Sequence, residues 1–435
     1  MSITDRQKQE AIALLDYINR SPDIFFAVAN AAEHLKNHGF AELDMQKRWG
    51  LLPGHRYFVR KNGRALVAFE TGSGVLERDG FRIVGAHGDS PGMKIKPLHI
   101  MQSGPYVKLD TECYGGLISS SWLDRPLALS GRLVCKGGSA MAPCAILVRL
   151  DEPLLVIPNL AIHLNRSMND GYVYNKQIDL LPLAGFVNDA LEKDNRLIEK
   201  ACRAAGVTPD ALLDFDLYLY PYEKGCLAGM EQELMSSARL DDLWMAHAAI
   251  EALISSQPAK AAKVFCCFDA EEIGSVAAEG ADSMLLRDVL ARIVHAFGKD
   301  EEQLMIALAH SLLVSADLAH GIHPNLPDKY DPLNRCVPGG GPVIKYSANR
   351  RYATDGMTAA MFKSACQAYN VPCQGFANRS DELGGTTIGP YLSASLGIPT
   401  VDVGAAILSM HSSRELGAVA DQAYMIDAFR GVYEL

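Results

Sequence analysis

The sequence predicts an α/β protein: a mostly parallel sheet sandwiched by helices, interrupted by an inserted β-rich domain. Three observations carry that expectation. Beyond Met230, apolar strand-like runs alternate with stretches of helical length, the pattern of a sheet covered on both faces. Between about residues 97 and 227 the texture changes to short β-rich runs punctuated by Gly and Pro. At 435 residues the chain is also longer than one hydrophobic core serves, which favours two domains or one with a large insertion. The expected organisation is a discontinuous main domain over residues 1–96 and 228–435 and an inserted domain over 97–227.

Residues 4–38 carry helical apolar spacing broken at Ser21-Pro22-Asp23, where the proline and a Ser or Asp cap predict one helix ending and another starting. In "YFVRKNGRALVAF" two β-rich runs flank Asn62-Gly63, a hairpin signal because both residues tolerate positive φ. "FRIVGAH" reads as a buried strand that ends at His87 and joins the later sheet. The insertion contributes "PYVKLDTE", "PLALSGRLVCKG" and "CAILVRLDEPLLVIPNLAIHL". Then come a helix over "LWMAHAAIEALIS", a strand over "KVFCCFD", a long helix ending near Phe297, and strands over "LLVSADL" and "GPVIKYS". A helix over "TDGMTAAMFKSACQAY", a strand over "IPTVDVG" and a closing helix complete the chain, with no internal repeat.

Composition excludes several classes of function. Hydrophobic residues make up 49% and charged residues 21%, as in ordinary soluble proteins, and no apolar run approaches the roughly 18 residues of a membrane span. The opening "MSITDRQKQEAIALL" lacks the order of a secretory signal. Ten scattered cysteines, with Cys266 and Cys267 inside an apolar run and no Cys-x-x-Cys pair, read as reduced core thiols of a cytoplasmic protein. A formal net charge of −10 argues against a nucleic-acid partner, and nothing suggests a membrane partner.

Open α/β sheets place their sites beyond the carboxyl ends of the strands. There the sequence is rich in one kind of chemistry. His87 and Asp89 follow the first buried strand, Glu271 and Glu272 follow "KVFCCFDA", Asp317 ends "LLVSAD", and His411 in "SMHSSRE" lies a short loop beyond "IPTVDVGAA". Asp241 and Asp242 open a helix in "ARLDDLW", where capping is the simpler explanation if they are taken alone. Carboxylates gathered in a low-dielectric crevice repel one another unless cations are present. Carboxylate and imidazole without thiolate suit zinc, manganese or cobalt, and the chemistry implied is hydrolysis of an amide-like bond. Of the adjacent glutamates, one can hold a metal while its neighbour serves as general base.

The ordered motifs "HGDSPG", "RLDDL", "DAEEIGS", "SADLAHGIHPN", "GPVIKYS", "GTTIGP" and "MHSSRE", from residue 87 to residue 415, resemble the aspartyl aminopeptidase family of di-zinc exopeptidases, peptidase family M18. "SPDIFFAV" and "IPNLAIHLNR" are similar to that family too. The resemblance implies a zinc-exopeptidase-like catalytic domain with the insertion serving dimerisation. It implies two divalent ions per subunit, zinc or else manganese or cobalt, with Asp241 bridging, His87 and Asp317 on one ion, and Glu272 and His411 on the other. Glu271 would be the general base, acting on a water shared by the ions, and Asp89 would orient His87. His163 would reach a neighbouring subunit's active site within a homo-oligomer, dimers assembling into a dodecamer. Lys345 would meet an acidic substrate side chain in a pocket lined by Tyr352 and His320, and Gly385, in "GGTTIGP", lies where backbone N–H groups could bind a carboxylate, or simply forms a tight turn. Asp242 departs from the family's usual Asn.

The expected activity is removal of N-terminal residues, Asp or Glu preferred, from peptides with a free N-terminus. The alternatives are an aminopeptidase of the same fold that prefers neutral or apolar residues, and a catalytically silent peptide-binding assembly.

Overall fold

Asp23 begins the second helix as the sequence predicts, and Thr4 caps the first. In the computed structural model, which describes residues 3–187 and 196–435, Thr4 and Gln7 form a reciprocal capping box for α1 (Asp5–Arg20). The Asp23 carboxylate takes the Phe25 and Phe26 N–H groups to start α2 (Ile24–Asn37). After β1 (Ala41–Glu42), the hairpin β2 (Arg56–Lys61) and β3 (Ala65–Glu70) turns over residues 62–64, with Asn62 and Gly63 at φ values of 51° and 68°, the left-handed backbone a tight turn needs. The short α3 (Leu76–Asp79) leads into β4 (Phe81–His87).

Next come β5 (Gly92–Ser103), β6 (Tyr106–Tyr114), β7 (Leu127–Ser139), β8 (Ala142–Leu155), β9 (Leu183–Phe186), α4 (Arg196–Ala205) and β10 (Leu212–Pro221). The remainder runs β11 (Cys226–Ala228), β12 (Leu234–Ser237), α5 (Leu240–Ser255), β13 (Ala262–Phe268), α6 (Leu285–Ala296), α7 (Glu301–Ala309), β14 (Leu312–Ala316), β15 (Ala319–His320) and β16 (Val343–Tyr346). It closes with α8 (Gly356–Ala368), β17 (Gln374–Ala377), α9 (Ile388–Leu396), β18 (Thr400–Gly404), β19 (Ala406–Leu408), β20 (Glu415–Ala418) and α10 (Val419–Tyr433).

The chain divides into two compact units, one of Met1–Asp89, Gly225–Met410 and Glu415–Leu435, the other of Ser90–Lys224 and His411–Arg414. The first is built on a nine-stranded sheet in the order β1-β2-β3-β13-β4-β14-β18-β16-β17. Parallel pairing prevails in it, at β1–β2, β13–β4, β4–β14, β14–β18 and β16–β17. One face packs Phe81, Ile83, Val264 and Phe268 against α6, α7 and α9. Val84 and Ala86 point the other way by the pleat and are buried on the side where α5 packs on β4. A smaller sheet, β11-β12-β20-β19-β15, completes this unit. The second unit is antiparallel throughout, β8-β7-β10-β5-β6-β9, over a core that includes Met93, Leu109, Trp122, Leu129 and Leu217.

One stretch departs from expectation. The long helix expected after β13 ends near Phe297 as predicted but is confined to α6. The chain makes a single turn at Glu271–Ile273 and loops on before α6 begins at Leu285. Ala270, Gly274 and Ser275 have φ values of 62°, 97° and 64°, left-handed backbone that an α-helix of L-residues cannot absorb.

Candidate metal centre and active site

Strands β13, β4 and β14 are parallel neighbours, with Phe268 opposite His87 and Ser315 opposite Gly85. Their carboxyl ends therefore share one rim, which receives Glu271 and Glu272 from beyond β13, His87 and Asp89 from the end of β4, and Asp317 from beyond β14. Asp241 and Asp242 join them from the start of α5, where both residues have non-helical backbone, so that the regular helix begins only after them. They do not act as ordinary caps. The Asp241 N–H donates to Glu415 Oε2 at 3.0 Å, and Asp242 Oδ2 accepts the His87 N–H at 3.2 Å.

The resulting cluster is tight. One ligand atom from each of His87, Asp241, Asp242 and Asp317 lies within 4.8 Å of all the others, and so does a set from His87, Glu271 and Glu272. His87 Nε2 is 3.5 Å from Asp241 Oδ1 and 4.0 Å from Glu271 Oε2. Its Nδ1 is 3.1 Å from the Asp89 carbonyl oxygen and 3.4 Å from Asp89 Oδ1. The same Asp89 carboxylate accepts the N–H groups of Glu271 and Glu272, each at 3.2 Å, so it fixes the imidazole and the acidic pair together.

Burial dominates the electrostatics. It pushes Glu271 up to about 8 and Asp317 up to about 6, with neighbouring carboxylates adding to the shift and His87 and Lys345 opposing it. Glu272 and Asp242 are driven well above the usual carboxylate range, first by burial and then by the surrounding acids. Burial alone would depress His87, but hydrogen-bonding Asp241 and Asp89, with Asp242 and Glu271 close by, lift it well above an ordinary histidine. Asp269, behind the glutamates, is pushed up to about 6 by burial and by Asp89, against the pull of Arg64.

These residues fit a divalent metal. The donors are imidazole nitrogen and carboxylate oxygen with no thiolate, a set that accepts zinc, manganese or cobalt. Asp242 Oδ1 is buried and, among the described residues, has no hydrogen-bond partner. A cluster this acidic and this dry calls for a cation.

Lys345, at 2% exposure, donates to the Leu318 carbonyl oxygen at 3.1 Å and stands 3.7 Å from Asp317 Oδ2. Its ammonium lies 5.3 Å from the Tyr352 ring. Burial works against the charge on Lys345, but Asp317, Tyr352 and Asp402 outweigh it and raise its pKa. His320, in β15, meets Phe376 edge-on with ring centroids 6.2 Å apart. Gly385 is exposed, three residues before α9, and nothing lies within 4 Å of where a Cβ would sit. His411 groups with the second unit, its Nδ1 3.1 Å from the Gly116 carbonyl oxygen, and His163 is exposed in that unit.

Several contributors escaped sequence reasoning. Glu415 is part of the quoted "MHSSRE", yet nothing there marks its carboxylate as the acceptor for Asp241. Asp402 is fully buried in β18, where it accepts the Ala353 N–H and the Thr387 hydroxyl, each at 2.5 Å, and so ties together the loops that carry Tyr352 and Gly385. The signal available was an aspartate inside an apolar strand, "IPTVDVG".

Among known proteins, the family model described as aminopeptidase I zinc metalloprotease (M18) matches residues 17–433. A probable M18 family aminopeptidase 2 of Clostridium acetobutylicum is 45% identical over 423 residues, covering 97% of this chain and 98% of the relative. A chain in the cryo-EM structure of the Ape4 and Nbr1 complex superposes with a TM-score of 0.95 at 35% identity, covering 100% of this chain and 87% of that one. The yeast (S. cerevisiae) mApe1 dodecamer gives a TM-score of 0.86 at 28% identity, covering 98% of this chain and 97% of its own. Among the described residues no helix is long and apolar enough to cross a membrane. With an acidic, imidazole-bearing rim on this fold and full-length matches at this level, the chain belongs to the M18 family of zinc metalloproteases and is an aminopeptidase.

Proposed function

We propose that the chain removes N-terminal Asp or Glu from peptides, using two divalent ions per subunit, most simply zinc, with Glu271 as general base. The observation that carries this is the gathering of His87, Asp241, Asp317, Glu271 and Glu272 on the rim formed by three parallel strands. His87, Asp241 and Asp317 would hold one ion, and Asp241, Glu272 and His411 the other. Bound there, the ions would make a water acidic enough to react near neutral pH and would polarise the scissile carbonyl. The Glu271 carboxylate takes the proton of the attacking water and returns it to the leaving amine. Asp89 holds the backbone of both glutamates in place while it orients His87. Lys345 offers its ammonium to an acidic substrate side chain beside Tyr352 and His320, and the backbone at Gly385 faces the substrate. With no disulfide among the described residues, a reducing cytoplasm suits the protein.

The dodecamer of the yeast relative supports a homo-oligomer. The inserted unit would then serve dimerisation, and His163 would act in a neighbouring subunit's site.

A second reading has its own observation. Lys345 is buried and already faces Asp317 at 3.7 Å, which favours a role in balancing that carboxylate and leaves a neutral or apolar residue as the preferred substrate end. Hydrolysis of Asp- and Leu-anilides decides, since acidic preference must appear as a higher kcat/KM for the Asp substrate and vanish in Lys345→Met. For the mechanism, Glu271→Gln should cut kcat by about 10²–10⁴-fold with zinc content unchanged; loss of zinc in step with activity would make Glu271 a ligand instead.

A further inference from the structure

We propose that Arg64 is a positioning residue for Glu271: from the turn of the β2–β3 hairpin its guanidinium holds Asp269, and through Asp269 the backbone that aims the glutamate. The proposal rests on the reading of Glu271 as the base.

Ala270, the residue between Asp269 and Glu271, is buried and left-handed, with φ at 62°. For a residue with a Cβ that conformation is strained and persists only where the surroundings dictate it. From the site side, the Asp89 carboxylate grips the N–H groups of Glu271 and Glu272. Arg64 Nε donates to Asp269 Oδ2 at 2.5 Å. Beside it, Asn62 Nδ2 donates to Glu279 Oε1, and the Glu279 carbonyl oxygen accepts the Asp269 N–H at 3.1 Å. Two residues of one hairpin turn thus bracket both ends of the loop that carries the acidic pair.

The bracket is stiff. The guanidinium carbon of Arg64 stands 5.3 Å from the centre of the Phe25 ring in α2, and Asp269 is 1% exposed. Asp269 has no room to swing, whereas Arg64 keeps 22% of its side chain exposed and is held by its contacts with Asp269 and Phe25. Only Ala270 separates Asp269 from the glutamate, so a shift of the aspartate rotates the peptide planes on which Glu271 sits. The simpler alternative is that Arg64 merely neutralises a buried carboxylate. That role would change thermal stability and leave kcat alone, whereas a positioning role must change kcat.

The test uses the zinc-loaded enzyme and a peptide anilide. Arg64→Met should lower kcat by about tenfold or more, since misplacement of a reacting group by about 1 Å costs up to ~10²-fold. KM should stay within about twofold and zinc content should be unchanged. Arg64→Lys should recover part of the loss, and in an Asp269→Asn background Arg64→Met should add little. Arg60 lies on the same hairpin but pairs with Glu42, so Arg60→Met should leave kcat unaltered. Full kcat in Arg64→Met, a loss that tracks lost zinc, or an equal loss in Arg60→Met would each overturn the proposal. Should Arg64→Met fail to fold, Arg64→Lys carries the test: reduced kcat at an unchanged Tm supports the bracket, and full kcat overturns it. Turnover that survives Glu271→Gln overturns both readings, whereas an inactive Glu271→Gln beside a fully active Arg64→Met overturns this one alone.

Discussion

Stripping the metal should reverse the way this protein's stability responds to pH. In the metal-free chain Asp317 is pushed from 3.8 up to about 6 and Glu271 from 4.5 up to about 8, chiefly by burial. Each pKa unit is about 1.4 kcal/mol, so the two shifts alone correspond to about 3 and about 5 kcal/mol. They belong to one coupled cluster and do not add in full, which leaves a total on the order of 5 kcal/mol. Linkage sets the sign. Folded pKa values above the unfolded ones mean that the native state holds protons the unfolded chain has lost. The stabilisation is complete below about pH 4 and is lost as pH rises through 6 and then 8. Thermal melts of chelator-treated protein at pH 5.5, 7 and 8.5 should therefore show Tm falling with pH. The zinc-loaded protein should not show this decline, and zinc addition should raise Tm most at pH 8.5, because a bound cation favours the deprotonated form of the carboxylates around it. In Glu271→Gln the metal-free decline between pH 7 and 8.5 should flatten. A metal-free Tm that stays level or climbs over that range would refute the buried-carboxylate account of the site.

Two further expectations concern the scaffold. His247, buried in α5 and hydrogen-bonded to Gln422, is held down to about 4 by burial, against an ordinary 6.5. Its neutral form therefore stabilises the fold above pH 6.5 by about 3 kcal/mol, and this is lost as pH falls toward 4; the Tm difference between the parent and His247→Gln should shrink over that window, and a constant difference would exclude it. Gly417 in β20 leaves room for Trp244, since a Cβ there would stand 2.2 Å from the ring. Gly417→Ala should destabilise by about 1–3 kcal/mol, read as a lowered denaturation midpoint, and an unchanged midpoint would mean that the Trp244 ring moves freely.

The fold was legible where local chemistry and long-range order agree. Asn62-Gly63 announces a hairpin because the turn needs two positive φ values, and the alternation beyond Met230 announces parallel strands because each crossover needs a helix. The five-stranded sheet was illegible for the opposite reason. Its members, such as β15 with two residues and β19 with three, are too short to show a period of two, and their partners lie up to about two hundred residues away. The helix expected up to Phe297 failed from its start. "EEIGSVAAEGADS" has apolar and acidic residues at helical spacing, but Gly274, Ser275 and Gly280 serve a loop whose shape is imposed by Asp89, Arg64 and Asn62.

At the site, residue types were legible and their mutual arrangement was not. A His or acid just past a strand is visible in one dimension, and the parallel pairing of β13, β4 and β14 is enough to bring those residues to one rim. Who supports them cannot be read that way, because a buried ion pair such as Arg64 with Asp269 joins positions 205 apart and leaves no local trace. The asymmetry has a physical origin. Most groups of the cluster sit just past strand ends, where backbone geometry itself aims them, with Asp241 and Asp242 at the start of α5 the exception, whereas groups that hold them need only reach, and a long side chain can reach from any neighbouring turn. Asp89 belongs to both classes, two residues past a strand yet spending its carboxylate on the N–H groups of Glu271 and Glu272, and for that reason the sequence exposed its position while only the structure exposed its work.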